Sequence, residues 1–258
     1  GYVIVPDVLD QDEISTLKDT LYHIEDNFHR TGELPGPSCF NTSTTETFFR
    51  IDNLPHLAPC FFDYITNPFI VGMAEEIIGG PARLQQSDAH IRRYLPEEPT
   101  KYGFHRGINP AYDHRDKGLY HFTFIKALTN LTDLGPDDGG TTVIAGTHKV
   151  PTDVPQEAII AAAMDAPSMI HQVEAPAGST LLFYESLIHA AGIIKSDKDR
   201  LLILAGYMPT MFQAWMDYDP DPDFAQTLSD EHRALITGEQ KFHWPRNPRD
   251  LGMPAATV

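Results

Sequence analysis

The sequence predicts an α+β protein built on an antiparallel sheet or barrel. Three observations lead there. Apolar residues recur at helical spacing before Pro81, they recur at strand spacing after it, and no βαβ alternation joins the two parts. The 258 residues are 41% hydrophobic and 21% charged, the balance of a globular chain long enough to bury a core without staples. No internal repeat or low-complexity linker divides them, so residues 1–258 read as a single domain.

The elements follow in order. Gly1 to Pro6 is a short β-type run closed by proline. Asp10 is an N-cap with Glu13 three residues on, and Ile14, Leu17, Leu21 and Ile24 then mark one face of a helix. Residues 31–45, with Pro35, Gly36, Pro37 and many Ser and Thr, read as a long loop. A second helix covers Asn67 to Ile78, with Phe69, Ile70, Met73, Ala74 and Ile77 on one face and Gly79-Gly80 as the stop. Strand-like runs follow at 83–94, 119–131, 141–144, 179–184 and 200–208, interrupted by one helix at 153–164.

With 19 Lys and Arg against 36 Asp and Glu, the formal charge is −17. Such a surface repels phosphate backbones and anionic lipid headgroups, and Arg92-Arg93 is the longest basic run, so neither nucleic acid nor membrane is an expected partner. No apolar stretch approaches the roughly 20 residues needed to span a bilayer. Cys39 and Cys60 are too few for a disulfide framework and point to a reducing compartment, the cytoplasm.

Chemistry is concentrated in the histidines of the β-rich part. His23, His29, His56, His232 and His243 have no ligand-like partner near them in sequence. His105, in contrast, stands in Lys-Tyr-Gly-Phe-His-Arg-Gly at the end of a strand-like segment. His189 ends Leu-Leu-Phe-Tyr-Glu-Ser-Leu-Ile-His, and Arg200 opens the next strand eleven residues later. Between them lies the Gly-rich segment from Gly135 to Lys149, with Gly-Gly-Thr-Thr and Gly-Thr-His-Lys. This order of His, Gly-rich turn, His and Arg resembles the phytanoyl-CoA dioxygenase-like family of iron(II) and 2-oxoglutarate-dependent oxygenases.

The resemblance covers most of the chain and implies a double-stranded β-helix, a cupin-like jelly roll, flanked by N-terminal helices. It implies an enzyme using Fe(II), 2-oxoglutarate and O2 on a small-molecule substrate, with His105 and His189 as metal ligands and Arg200 as the 2-oxoglutarate anchor. The chemistry accords with this: a ferrous site needs two imidazoles on one face and open positions on the other, and a guanidinium receives a carboxylate bidentately.

One position departs from the pattern. The family motif is His-x-Asp or His-x-Glu, and here it is His105-Arg106-Gly107. The iron and 2-oxoglutarate halogenases resemble this chain in replacing the acid with a small residue, so the expected function is halogenation of an unactivated carbon, with chloride as a further cofactor in the place that Gly107 vacates. Arg106 is the candidate to hold anionic partners there. Other readings remain open. Asp113, Asp116 or water can fill the third position and leave a hydroxylase, and a non-catalytic barrel binding a small acid or metal is the remaining alternative.

Supporting residues follow from the two-residue strand period. Lys126 and Asn130 share a face and are candidates for contacts to 2-oxoglutarate, since a buried acid needs donors. Gln86, Asp88, His90 and Arg92 share another, with His90 or Arg92 bordering the substrate. His121 and His148 read as structural. Phe212, Trp215, Met216 and Tyr218 lie beyond the last strand and either cover the pocket mouth or pack on the N-terminal helices, the commoner role for such a cluster.

Overall fold

The computed structural model describes residues 1–36, 39–94, 102–108, 114–116, 119–121, 123–151, 153–215 and 218–241. The chain runs through β1 (Tyr2–Val5), α1 (Gln11–Thr31), β2 (Phe40–Thr44), β3 (Phe48–Asp52), α2 (Pro59–Ile65), α3 (Pro68–Ile78) and β4 (Ala82–Arg92). It continues with β5 (His114–Asp116), β6 (Leu119–His121), β7 (Ile125–Asn130), β8 (Thr142–Ile144), α4 (Gln156–Asp165), β9 (Ile170–Gln172), β10 (Thr180–Tyr184) and β11 (His189–Ala190). Last come β12 (Arg200–Pro209), α5 (Pro222–Thr227) and α6 (Asp230–Thr237).

The first helix starts where the capping signal lies. The Asp10 carboxylate accepts from the backbone N–H groups of Asp12 and Glu13, and Glu13 reaches back to the N–H of Asp10. Gly32, at φ 74°, closes the helix in the left-handed conformation. Asn67 caps α3 in the same way, Pro68 takes its first position, and Gly79 ends it.

Seven strands form one antiparallel sheet in the order β1-β10-β7-β12-β4-β3-β2, and β11-β8-β9 form a second. The pleat gives the large sheet two distinct faces. On β12, Leu201, Ile203, Ala205 and Tyr207 join Phe49, Ile51, Ala89, Ile91, Ile125 and Ala127 against α1, α2 and α3. Leu202 and Leu204 face the other way, and with Leu128, Leu181 and Phe183 they pack on Val143 and Leu187 of the second-sheet side. This is the expected jelly roll, helices outside and a sheet-on-sheet interior within.

Two polar devices fix the helices to the sheet. Tyr64 of α2 is 2% exposed, and its hydroxyl lies 3.0 Å from the Ala127 carbonyl and 3.0 Å from Thr129 Oγ1. Arg93, just past β4, grips Glu25 of α1 with two N–H groups, at 2.6 and 2.8 Å.

The structure corrects several boundaries. The expected loop at 31–45 contains β2, and β3 follows it; neither announces itself, because β2 has only Asn, Thr and Ser after Phe40 and β3 carries Arg50 and Asp52. The single run expected at 119–131 is two strands, β6 and β7. α2, β9, α5 and α6 are additions to the sequence reading.

Candidate active site

The inner face of the large sheet opens into a cavity of about 580 Å³. The strand register assigns its walls: Phe48 and Arg50 from β3, Gln86, Asp88, His90 and Arg92 from β4, Lys126 and Leu128 from β7, and Arg200, Leu202 and Leu204 from β12. His105, Gly107, Thr141, Glu185, His189 and Trp215 also line it.

The two histidines are brought together by a short antiparallel pairing. The His105 N–H donates to the His189 carbonyl at 2.9 Å, the His189 N–H returns the bond at 3.0 Å, and the Gly107 N–H donates to the Glu185 carbonyl at 3.1 Å. The imidazole centroids stand 4.4 Å apart. Each ring is oriented through Nδ1, that of His105 against the Gly103 carbonyl at 2.9 Å and that of His189 against the Leu187 carbonyl at 2.8 Å. A carbonyl only accepts, so Nδ1 carries the proton and Nε2 keeps its lone pair, the tautomer a metal ligand needs. Burial lowers the His189 pKa and holds the ring neutral.

Arg200 is 2% exposed. Its Nη2 donates to Thr141 Oγ1 at 2.9 Å, its Nε has no partner, and no carboxylate among the described residues forms an ion pair with it. Burial, with Arg92 adding repulsion, pulls its pKa down to about 9. A guanidinium held in that condition favours an anion beside it.

At another wall, Asp88 is 1% exposed and receives Gln86 Nε2 at 2.9 Å and Arg50 Nη2 at 3.3 Å, with His90 Nε2 at 2.8 Å. Burial pushes its carboxyl up, but His90, Arg50 and Lys126 together hold it at about 2. Arg50 also binds Asp52, which accepts a hydrogen bond from the Tyr218 hydroxyl.

The remaining sequence candidates fall as follows. Arg106 is not part of the cavity wall, and its guanidinium donates to the Thr147 carbonyl at 3.0 Å. Lys126 lines the cavity, but its ammonium meets Gln85 Oε1 at 2.9 Å and Glu185 Oε2 at 3.4 Å. It pairs across from Gly206, six residues from Arg200 on β12 and so about 20 Å along the strand, which separates it from the guanidinium. Asn130 shares the inner face of β7 without reaching the cavity wall, and both polar atoms of its buried amide lack partners. Asp113 and Met216 lie outside the described residues, as does the side chain of Asp116 on β5. Trp215 walls the cavity with the Lys126 ammonium 4.8 Å over its ring, and Tyr218 belongs to the Arg50–Asp52 group, so these two serve the pocket rather than the N-terminal helices.

Sequence reasoning missed Glu185. It is 3% exposed, it lines the cavity, and a β-carbon built on Gly107 would overlap its carboxylate. The signal was one charged residue inside the apolar run that leads to His189. Among the described residues, no three His, Cys, Asp or Glu side chains already stand together as a metal-binding group.

The family model for phytanoyl-CoA dioxygenase (PhyH) matches residues 1–202. The chain belongs to the phytanoyl-CoA dioxygenase family. It is therefore an enzyme of the iron and 2-oxoglutarate-dependent oxygenase type. Two proteins of similar sequence, the uncharacterized proteins Mb1539 of Mycobacterium bovis and Rv1501 of Mycobacterium tuberculosis, are each 24% identical over 96% of this chain and 89% of their own. Among solved structures, HygX from Streptomyces hygroscopicus, with nickel, 2-oxoglutarate and hygromycin B bound, superposes with a TM-score of 0.66. It is 19% identical, over 94% of this chain and 93% of its own. The epimerase SnoN from nogalamycin biosynthesis matches with a TM-score of 0.58 at 21% identity, over 81% of this chain and 78% of its own. These likenesses show the shared fold of the phytanoyl-CoA dioxygenase family. No helix among the described residues is long and apolar enough to cross a membrane.

Proposed function

We propose that the protein is a non-haem iron(II) and 2-oxoglutarate-dependent oxygenase that hydroxylates, or otherwise oxidises, a small polar molecule. Residues 1–258 act as one domain, in a reducing compartment such as the cytoplasm, in keeping with two free cysteines. One observation carries the reading: two imidazoles with available Nε2 atoms and a buried guanidinium that has no carboxylate partner among the described residues line one cavity.

The residues fit the cofactors. His105 and His189 would hold iron through Nε2, and Arg200 with Thr141 would receive the distal carboxylate of 2-oxoglutarate. Bound iron and 2-oxoglutarate supply the oxidising equivalents from O2. The protein's part is to bind, orient and exclude water. Trp215 and Phe48 wall the pocket with apolar surface, while Arg50, Gln86, Asp88 and His90 present a polar wall to a substrate. HygX binds hygromycin B and SnoN a nogalamycin compound, and a polar small molecule of that general kind is the substrate class favoured here.

The His-x-Gly motif by itself favours halogenation, which requires an empty place beside Gly107. Glu185 weighs against it, because its carboxylate fills that space and an anion there repels chloride. Oxygenation is the better-supported outcome, and a purely binding barrel is not consistent with family membership. The test is aerobic turnover with Fe(II) and 2-oxoglutarate, reading succinate and product mass. Succinate release independent of chloride, with oxygen added or hydrogen removed, is expected. A chlorinated product would restore the halogenase reading, and absence of succinate with every candidate substrate would count against an oxygenase.

A further inference from the structure

We infer that Glu185 is the carboxylate ligand that the His-x-Gly motif lacks, supplied from the turn after β10 instead of from residue 107. The inference rests on the iron reading above and deepens it. The Gly107 N–H bonds to the Glu185 carbonyl, so the turn that follows β10 lies against residue 107, just beyond the bridge that joins His105 to His189. The Glu185 carboxylate stands where a side chain at residue 107 would begin, so it reaches the region that a carboxylate from residue 107 would occupy.

The space is exclusive. A β-carbon at Gly107 would meet Glu185 Oε1, Oε2 and Cδ all at once. An aspartate at 107 and the glutamate at 185 cannot both stand as they are, so the glycine and the glutamate are one arrangement. The carboxylate also has capacity to spare. Glu185 is 3% exposed, and its Oε2 lies 3.4 Å from Lys126 Nζ without an aligned hydrogen bond. A buried acceptor left in that state awaits a partner. Lys126 balances the charge of Glu185 across that contact; with His105 and His189 the carboxylate would complete a two-histidine, one-carboxylate donor set for the metal.

The test is metal binding to the full chain under anaerobic conditions, by calorimetry with Fe(II) and by the visible spectrum of the Co(II) form, which reports coordination. Glu185→Gln should weaken Fe(II) binding by about 100-fold or more, since even outer-shell changes cost 10–100-fold, and should change the Co(II) spectrum. The double variant Glu185→Ala/Gly107→Asp should recover most of the affinity. If Glu185→Gln does not fold, Lys126→Met/Glu185→Gln removes both buried charges and carries the same readout. Unchanged Fe(II) affinity and an unchanged Co(II) spectrum in the glutamine variant would overturn the inference and leave Glu185 as the counter-ion of Lys126. Failure of the unaltered protein to bind Fe(II) at all would instead overturn the iron reading on which it rests.

Discussion

Arg200 is buried without a carboxylate beside it among the described residues, next to a second arginine, and it shares its cavity with both histidines. Removing its charge should relieve that tension and destroy the anion site together. Arg200→Met is expected to keep the fold and weaken 2-oxoglutarate binding by about 10- to 150-fold, the cost of losing charge-assisted hydrogen bonding at 1.5–3 kcal/mol. Calorimetry with the Ni(II)-loaded protein checks it. Asp88 is the opposite case, a buried acid amply partnered. Its folded carboxyl titrates at about 2 against 3.8 for the free group. The stabilisation is therefore whole above about pH 4 and is lost as the pH falls toward 2, roughly 2 kcal/mol in all at 1.36 kcal/mol per unit. Urea midpoints should fall over that window in the wild type, and Asp88→Asn should lack this part of the slope. His105, His189 and Arg200 were legible in the sequence because their order and spacing carry a pattern. Glu185 was not, because its meaning comes from facing Gly107, 78 positions earlier in the chain.

At the scale of elements, local signals were the readable ones. The capping box of α1 is complete within four residues, from Asp10 to Glu13. Asp10→Ala should cost about 1 kcal/mol, seen as a lower thermal midpoint with cofactor binding unchanged. Tyr64 tests the docking of α2 on the sheet. Its hydroxyl satisfies groups on β7 and also lies 3.3 Å from the Ile203 carbonyl of β12. Tyr64→Phe keeps the ring and strands buried acceptors, so a loss of about 1–3 kcal/mol is expected in denaturant titrations. The elements that escaped the sequence reading have a shared cause. β3 turns Arg50 into the cavity and buries Asp52 in the same polar cluster, so its inner face is polar where apolar periodicity would be sought. β2 is a polar strand at the sheet edge, where little hydrophobic burial is needed.

For the whole molecule, the acidic surface and the cavity have opposite character. Against a net charge of −17, the cavity is lined by Arg50, Arg92, Lys126 and Arg200, with Asp88 and Glu185 as its carboxylates. An anionic cosubstrate is thus drawn to a concave region where the average field is reversed. Binding should stabilise the whole fold, since it engages strands from both sheets. Ni(II) with 2-oxoglutarate at about 100 times its Kd supplies roughly 2.7 kcal/mol, a rise in Tm of ~5–10 °C for a chain of this size. Differential scanning fluorimetry should show that rise, no comparable gain from chloride, and little gain from 2-oxoglutarate in Arg200→Met.

The sequence alone determined the α+β class, the main strands, the first helix with its cap, and the histidine and arginine positions, because each is written in local spacing or in a motif read along the chain. Tertiary structure decided what surrounds them. The tertiary fold turned Lys126 toward Glu185, sent Arg106 to the Thr147 carbonyl, and filled the space beside Gly107 with a carboxylate from the turn after β10. A missing side chain in a sequence is an absence at one position. In a packed protein it is a volume, and the side chain that enters that volume is chosen by the tertiary fold.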